Sequence, residues 1–511
     1  MKPGRAGSRA TKPARAMKPG RAGSRAMKPG RAGSRAMRVL SVASEVAPLV
    51  KTGGLADVAG ALPAALAPHG VALRTLMPGY RSVVQAVEDV TVLADLPDLF
   101  GGAGKILGAT AGGLDLLILD APHLFARDGS PYLGPDGRDW PDNPERFAAL
   151  SWAAMAIARD GLDDGWRPDI VHCHDWQAAL APYYLRTDAP GVPSLLTIHN
   201  IAFQGIAPPD MCARLHIAQT DFHPGLTEYY GQISALKAGL VSADMLSTVS
   251  PTYARELMTP EFGMGLDGVL RARRGDLVGI LNGIDTDAWS PATDPAITAY
   301  DTPPGKAPNR AALLAEFGLP QTDGPLCVVI SRLTEQKGLD LLLDALPALT
   351  DRGGSLALLG SGNADLEKRG RDTADAYPNV AVRIGYDEAL SHRMMAGGDA
   401  ILIPSRFEPC GLTQLYGLRY GTVPVVALTG GLADTVIDAS DAGLKAGVAT
   451  GLTVHPLSVD SLRDSLGRLC DLYADPPVWR KIQDNGMHHP VGWNTSGAEY
   501  AALYRRLADG H

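Results

Sequence analysis

The sequence predicts an α/β protein built as two similar halves facing one cleft, and three observations carry that prediction. At 511 residues the chain is long for one core and suits two large domains with appendages. Short apolar runs recur along it, each ending in Gly, Pro or polar residues just before a helix-compatible segment, the pattern of a parallel sheet. The hexapeptide T-G-G-L-A-D occurs twice, at 52–57 and 429–434, each time after an apolar run and before a helical stretch.

Composition bounds the class. With 45% hydrophobic and 20% charged residues the chain reads as globular, and no apolar run of about 18 residues predicts a membrane span. Five scattered cysteines, Cys173, Cys212, Cys327, Cys410 and Cys470, show no metal-type pairing. An odd, dispersed set argues for a reducing cytoplasm and against a disulfide framework. Residues 1–36 repeat M-K-P-G-R-A-G-S-R-A and hold eleven Lys or Arg and no acid, which leaves a charge of -19 on the rest of a chain whose net charge is -8. Such a segment can bury almost nothing and is expected to be a disordered basic tail, with the folded protein beginning at Met37. A transit peptide or a nucleic-acid arm are the sharper readings of the tail. The acidic body argues against a nucleic-acid role, which would need a basic face, so any polyanion binding would fall to the tail.

Taken in order, residues 38–43 form a first strand that enters the loop S-E-V-A-P-L-V-K-T-G-G-L-A-D and then a helix. Gly53 and Gly54 let backbone amides approach a ligand, and Lys51 supplies a positive charge beside them, a combination suited to phosphate. Residues 71–77 are the next strand, stopped by Pro78 and Gly79, and 114–119 another. The Gly-, Pro- and Trp-rich stretch 132–143 reads as a surface loop near the cleft mouth, and 144–161 as a helix. The strand at 169–171 ends in His172-Cys173-His174-Asp175-Trp176. Alternation points His172 and His174 to one side, but zinc needs further ligands and none is suitably spaced, so no metal is expected. Strands at 194–198, 246–249 and 278–281 end in His199-Asn200, Ser250-Pro251 and Asn282-Gly283. The D-x-D at 285–287 is too short to weigh.

Proline content marks a linker from about 289, bounded at 291–307, between a first domain at 37–290 and a second at 308–490. The second half opens with a helix at 309–317. A strand at 326–330 leads to Arg332 and Lys337, two cations in a strand-to-helix loop where they could clamp a diphosphate. Strands at 356–359 and 380–384 end in Gly360-Ser361-Gly362 and Gly385-Tyr386. The chain then reaches its organising stretch, I-P-S-R-F-E-P-C-G-L-T-Q-L-Y-G, after the buried run 400–403. Pro404 stops the ladder, Gly411 permits a sharp bend, and a helix begins near it. A carboxylate, Glu408, in such a loop implies a purpose, a plain helix cap being the bland alternative. A final helical segment, within 491–511, closes the chain.

Seven segments together resemble the bacterial glycogen synthases, which are similar to plant starch synthases: K-T-G-G-L-A-D-V (51–58), H-C-H-D-W (172–176), T-I-H-N-I-A-F-Q-G (197–205), V-S-P-T-Y-A-R-E (249–256), L-N-G-I-D (281–285), S-R-L-T-E-Q-K-G-L-D (331–340) and S-R-F-E-P-C-G-L-T-Q-L-Y-G (405–417). They fall in the family's order across 37–511. The resemblance implies the GT-B glycosyltransferase fold, two Rossmann-like domains with the site between them and a C-terminal helix crossing back to the first. It implies glucose transfer from ADP-glucose to an α-1,4-glucan such as glycogen, with retention, no cofactor and no membrane. Glu408 matches the essential carboxylate, and Arg332 and Lys337 the cations on the leaving diphosphate. His174 is carried over as a sugar contact, Tyr386 as a platform for adenine, and Lys51, Gly53 and Gly54 as donor contacts. The amides of Gly411, Leu412 and Thr413 complete the anion site, with Asp57 and Cys410 beside it. At Cys410 a reactive thiol and a small packed residue are the two readings.

Overall fold

The computed structural model describes residue 1 and residues 35–510, so the expectation of a disordered tail lies almost wholly outside the described residues. Residues 37–511 form one unit by themselves, distinct from 1–36.

The first half carries β1 (Met37–Val42), β2 (Val71–Pro78), β3 (Thr91–Leu99), β4 (Gly102–Ala111), β5 (Leu114–Asp120), β6 (Ile170–His174) and β7 (Ser194–Ile198). Three short strands follow, β8 (Ile206–Ala207), β9 (Glu228–Tyr229) and β10 (Gln232–Ser234), then β11 (Met245–Thr248) and β12 (Leu277–Gly279). The second half holds β13 (Leu326–Ile330), β14 (Ser355–Gly360), β15 (Val380–Ile384), β16 (Ala400–Ile403), β17 (Val423–Ala427) and β18 (Leu452–Val454).

The large sheet of the first half runs β12-β11-β7-β6-β1-β2-β5-β4-β3, and that of the second half β15-β14-β13-β16-β17-β18. The second sheet is parallel throughout and has the doubly wound Rossmann order. Its central strands are near-continuous Val, Leu and Ile because helices cover both faces. The first sheet departs from the expected all-parallel pattern at one edge, where β3 and β4 add an antiparallel meander to β5. The sequence reading passed over both strands, since β3 has an alternating, half-exposed pattern and β4 is interrupted by glycines.

Each sheet reverses its strand order at one place, between β1 and β6 in the first half and between β13 and β16 in the second. Loops leaving neighbouring strands in opposite directions open a crevice there, which is where doubly wound sheets hold ligands. The halves are joined by more than one crossing. The segment 291–307 is seated on the second half: Asp294 accepts from Tyr420 at 2.5 Å, and the buried Lys306 ammonium donates to the Tyr420 carbonyl at 2.9 Å and to Thr422 Oγ1 at 2.8 Å. The last helix, Asn494–Ala508, packs Tyr500, Ala501, Tyr504 and Leu507 against Val39, Val58, Leu62 and Leu66 of the first half.

Candidate active site

Glu408 sits in the loop after β16, buried, with Lys337 Nζ 2.5 Å from Oε2 and the Ser405 hydroxyl donating to the same oxygen at 2.9 Å. Lys337 arrives from the loop after β13, so this pair spans the crevice of the second sheet. Two further contacts hold the loops at that separation. Arg406 makes a bidentate pair with Asp340 at 2.8 and 2.7 Å, and Gly338, at φ +65°, lies so close to Pro404 that a Cβ would come 2.0 Å from its carbonyl oxygen. Ser331, Lys337, Pro404, Ser405 and Thr413 line one small cavity between the loops. Arg332 is exposed beside them. Gly411, at φ +70°, turns the chain into the helix Thr413–Tyr420, which begins at Leu412 with no side-chain cap. Its first amides are therefore open to an anion.

The first half contributes the loop after β1. Glu45, buried at its base, accepts from Thr52 N at 2.5 Å, Thr52 Oγ1 at 2.6 Å, Gly53 N at 3.2 Å and the Tyr132 hydroxyl at 2.7 Å. One carboxylate thus shapes the whole K-T-G-G turn. Lys51 pairs with Asp57 at 2.9 Å. Burial pushes the Asp57 carboxyl up from its ordinary range, with Lys51 opposing. A Cβ at Gly53 would meet nothing within 4 Å and one at Gly54 only Leu412 Cδ1 at 3.9 Å, so this turn faces Leu412 of the other half across open space.

The second T-G-G-L-A-D copy has the opposite character. Glu256 of the first half accepts from Thr429 Oγ1 at 2.9 Å and Gly430 N at 3.0 Å, repeating what Glu45 does at the first copy. Asp434 accepts from Thr252 N and Oγ1, both at 2.7 Å, and Ser250 donates to the Pro409 carbonyl at 2.7 Å. A Cβ at Gly430 would come 1.9 Å from the Glu408 carbonyl oxygen, so this turn braces the Glu408 loop and closes the seam between halves. The echo marks two turns into a helix at different places in their sheets and with different backbones, Gly53 at φ -158° and Gly430 at φ +45°, one open and one packed.

At the end of β6 the histidines form a buried row. His172 bonds Tyr504 at 2.8 Å and Thr197 at 2.6 Å, while His174 bonds Ser41 at 3.2 Å and His199 at 3.0 Å. The rings of His172 and His174 do share one side, with centroids 4.1 Å apart. Neither ring is exposed, and both nitrogens of His174 are engaged: it is a hydrogen-bonding histidine at the strand's end, with its ring held inside the floor. Asp175, in the left-handed region at φ +56°, turns the chain there and accepts from His199 N at 2.7 Å and Asn200 N at 3.2 Å. Among the described residues no group of three or more His, Cys, Asp or Glu is arranged to hold a metal ion.

Burial drives His172 and His199 down to about 3 and His174 well below its ordinary 6.5. Their folded values are depressed, so the stability they contribute is present above pH 6.5 and is lost as pH falls towards 3. Asp175, raised by burial to about 7, works the other way between 3.8 and 7. Three rings against one carboxyl leave stability falling with acid, each ring by at most about 1.4 kcal/mol per pH unit. Urea midpoints should therefore drop between pH 7 and pH 5, with a shallower pH slope in His172→Gln. An unchanged slope would show that the rings titrate normally.

The remaining sequence-derived residues fall as follows. Tyr386 is largely exposed on the loop after β15 and its hydroxyl bonds Glu388. Cys410 is buried, with its thiol pushed up to about 12 by burial, which selects the packed-residue reading over the reactive one. Sequence reasoning did not single out Glu45, Tyr132, Ser405 or Asn282, whose Oδ1 is buried without a partner. Only S-E-V near the first glycine turn hinted at Glu45, and Ser405 stands three residues before Glu408 in the organising stretch; Tyr132 depends on a contact distant in sequence. It also missed a stack of Trp289 between His392 and Tyr416, at 3.9 and 3.7 Å, behind the Glu408 helix.

The chain matches the starch synthase catalytic domain family over residues 38–272 and glycosyl transferases group 1 over 324–471. It is 63% identical over 472 residues to a glycogen synthase of Paracoccus denitrificans (strain Pd 1222), covering 92% of this chain and 99% of that protein. It is 60% identical over 471 residues to a glycogen synthase of Jannaschia sp. (strain CCS1), again over 92% and 99%. In structure it is similar to the catalytic domain of starch synthase IV from Arabidopsis thaliana bound to ADP and acarbose. There the TM-score is 0.83 and the identity 32%, over 93% of this chain and 99% of that one.

Proposed function

The chain belongs to the bacterial glycogen synthase family, and from that premise we propose how its two crevices carry out glucosyl transfer from ADP-glucose to the non-reducing 4-hydroxyl of an α-1,4-glucan, with retention. The observation that supports this reading best is the convergence of loops. Glu408 and Lys337 flank the reversal point of one sheet, while Lys51 and its glycines flank that of the other. The starch synthase of similar fold was solved bound to ADP and acarbose, a nucleoside diphosphate and a saccharide, the two classes of molecule this reaction brings together.

The bond to be broken joins the anomeric carbon to a phosphate oxygen, so positive charge grows on the sugar as negative charge grows on ADP. Arg332, Lys337 and the uncapped amides after Gly411, at Leu412 and Thr413, stabilise the leaving diphosphate. Lys51, held by Asp57, reaches the donor from the opposite half, and Tyr386 offers its exposed ring to adenine. Glu408, paired with the Lys337 ammonium rather than hydrogen-bonded to a second carboxyl group, stabilises and orients the developing cation. His174 holds the sugar-site floor from inside. Closing the halves excludes the water that would hydrolyse the donor. Five free, buried cysteines support a cytoplasmic setting, and no helix among the described residues is long and apolar enough to cross a membrane.

Glucose incorporation into glycogen, with ADP-glucose and UDP-glucose side by side in EDTA, tests the reading. Strong transfer from ADP-glucose alone is expected. Transfer only from UDP-glucose would keep the fold and overturn the donor.

A further inference from the structure

The chain passes between its halves in two stretches that run side by side. One leaves β12 and carries Ile284; the other, at Val491 and Gly492, brings the chain back to the first half. Ile284 N donates to the Val491 carbonyl at 2.9 Å, and Gly283 lies so close to Gly492 that a Cβ would come 2.6 Å from its carbonyl carbon. The Ser496 hydroxyl donates to the Leu281 carbonyl at 2.5 Å. This laced pair is the joint between the halves.

The joint packs directly on the helix behind Glu408. Ile284 and Val491 are buried against Leu415 and Leu418 of the helix Thr413–Tyr420, whose first amides are the uncapped ones after Gly411. Just beyond Ile284 the chain turns tightly. Asp285 Oδ1 accepts from Asp287 N at 2.9 Å and Ala288 N at 3.0 Å, and Trp289 N donates to the Asp285 carbonyl at 3.0 Å. That turn sets the Trp289 ring flat between His392, 3.9 Å away and inclined by 13°, and Tyr416 of the same helix, 3.7 Å away and inclined by 14°. Further bonds tie the stack to the second half. Asp294 meets His392 Nδ1 at 2.7 Å and accepts from the Tyr420 hydroxyl at 2.5 Å, while Arg419 Nε donates to the Trp289 carbonyl at 3.3 Å.

A two-strand joint is soft in torsion, but a ring clamped on both faces resists tilting, because a gap of a fraction of an ångström forfeits much of the contact energy. We infer that Trp289 is a positioning residue for the transfer. It fastens the joint to the Thr413–Tyr420 helix, so that the angle between the halves and the aim of the Leu412 and Thr413 amides change together. The inference rests on the proposed seating of the ADP diphosphate on those amides. Trp289 stands behind the helix and acts through Tyr416. The field of a helix end fades within about one turn, so a shift of about 1 Å there weakens its hold on the leaving group. A loosened joint also admits water to the closed site. Water then replaces the glucan hydroxyl: its oxygen bonds the anomeric carbon as the bond to phosphate breaks, giving free glucose, ADP and a proton.

Trp289→Leu and Trp289→Phe in the full chain separate this role from simple support. The readouts are ADP affinity by calorimetry, KM for ADP-glucose against kcat, and free glucose released per glucose transferred to glycogen, all below the melting temperature. Trp289→Leu should weaken ADP binding and raise KM for ADP-glucose by roughly 5- to 10-fold, and raise the share of free glucose by a similar factor. Trp289→Phe keeps a flat ring between His392 and Tyr416 and should recover most of both. If the leucine variant does not fold, His392→Leu, which removes one face of the clamp, is read in the same way. A merely structural tryptophan behaves differently: transfer and hydrolysis fall together as fewer molecules fold, with ADP affinity unchanged in those that do. That result would overturn the inference, as would Trp289→Phe failing as badly as Trp289→Leu. Arg332→Ala tests the underlying reading separately. ADP held by it as tightly as by wild type would place the diphosphate elsewhere and take the inference with it. Weak ADP binding in Arg332→Ala beside wild-type binding in Trp289→Leu overturns the positioning role alone.

Discussion

Glu408→Gln should reduce glucosyl transfer by about 10³-fold, with KM for ADP-glucose close to wild type and a smaller fall in melting temperature than Lys337→Met, because the freed ammonium, on a flexible side chain 19% exposed, can turn to solvent. The substitution keeps the shape and can keep the Ser405 bond, but removes the negative charge at the position held by Lys337 and Ser405. That charge matters most when the sugar becomes cationic, so its loss falls on kcat more than on donor binding. The backbone of its loop has a second support besides the carboxylate. The Glu408 carbonyl accepts from Gly431 N at 3.2 Å, and Gly430 packs against the same backbone. Initial rates with glycogen acceptor, set beside a thermal melt, decide the matter. More than a tenth of wild-type activity in a folded variant would remove Glu408 from the mechanism.

Lys337→Met should cost both activity and stability, and that double effect separates it from the exposed Arg332. Lys337 and Glu408 are each mostly buried, their side chains 19% and 10% exposed. Removing the cation leaves an uncompensated carboxylate, a loss of roughly 3 kcal/mol for a buried pair. It also removes a charge from the leaving diphosphate, worth about 10²- to 10³-fold in rate. Adding Glu408→Gln should restore most of the stability and none of the activity, since the double variant no longer buries a lone charge. Arg332→Ala should lower the rate with little change in the melt. If Lys337→Met melted like wild type, the pair seen at 2.5 Å would not be the state that holds the loops.

Local sequence determined a good deal of this protein. Apolar runs such as A-I-L-I at β16 and L-C-V-V-I at β13 can only be strands covered on both faces, and the glycines and prolines after them mark where each strand must stop. Lys51, Arg332, Lys337 and Glu408 could therefore be placed on strand-to-helix loops before any coordinates. The edge meander β3–β4 was not legible, because half-exposed alternation interrupted by glycine is a weak signal.

What only the tertiary structure decided is which loops meet. Glu408 and Lys337 lie 71 positions apart in the chain and touch because β13 and β16 are neighbours at the reversal of the sheet. Burial, too, is a property of the assembled chain. It enclosed the His174 ring and buried the Cys410 thiol, which the local sequence alone could not show. The two T-G-G-L-A-D turns show the division most plainly. Identical residues lead into a helix each time, but the backbone and what faces it differ, Gly53 being extended at φ -158° and Gly430 left-handed at φ +45°. One opens on the cleft with Glu45 behind it, while the other is sealed by Glu256 and Thr252 from the opposite half. Chain-local chemistry sets where a helix can begin, and contacts distant in sequence set the path of each loop and what it encloses.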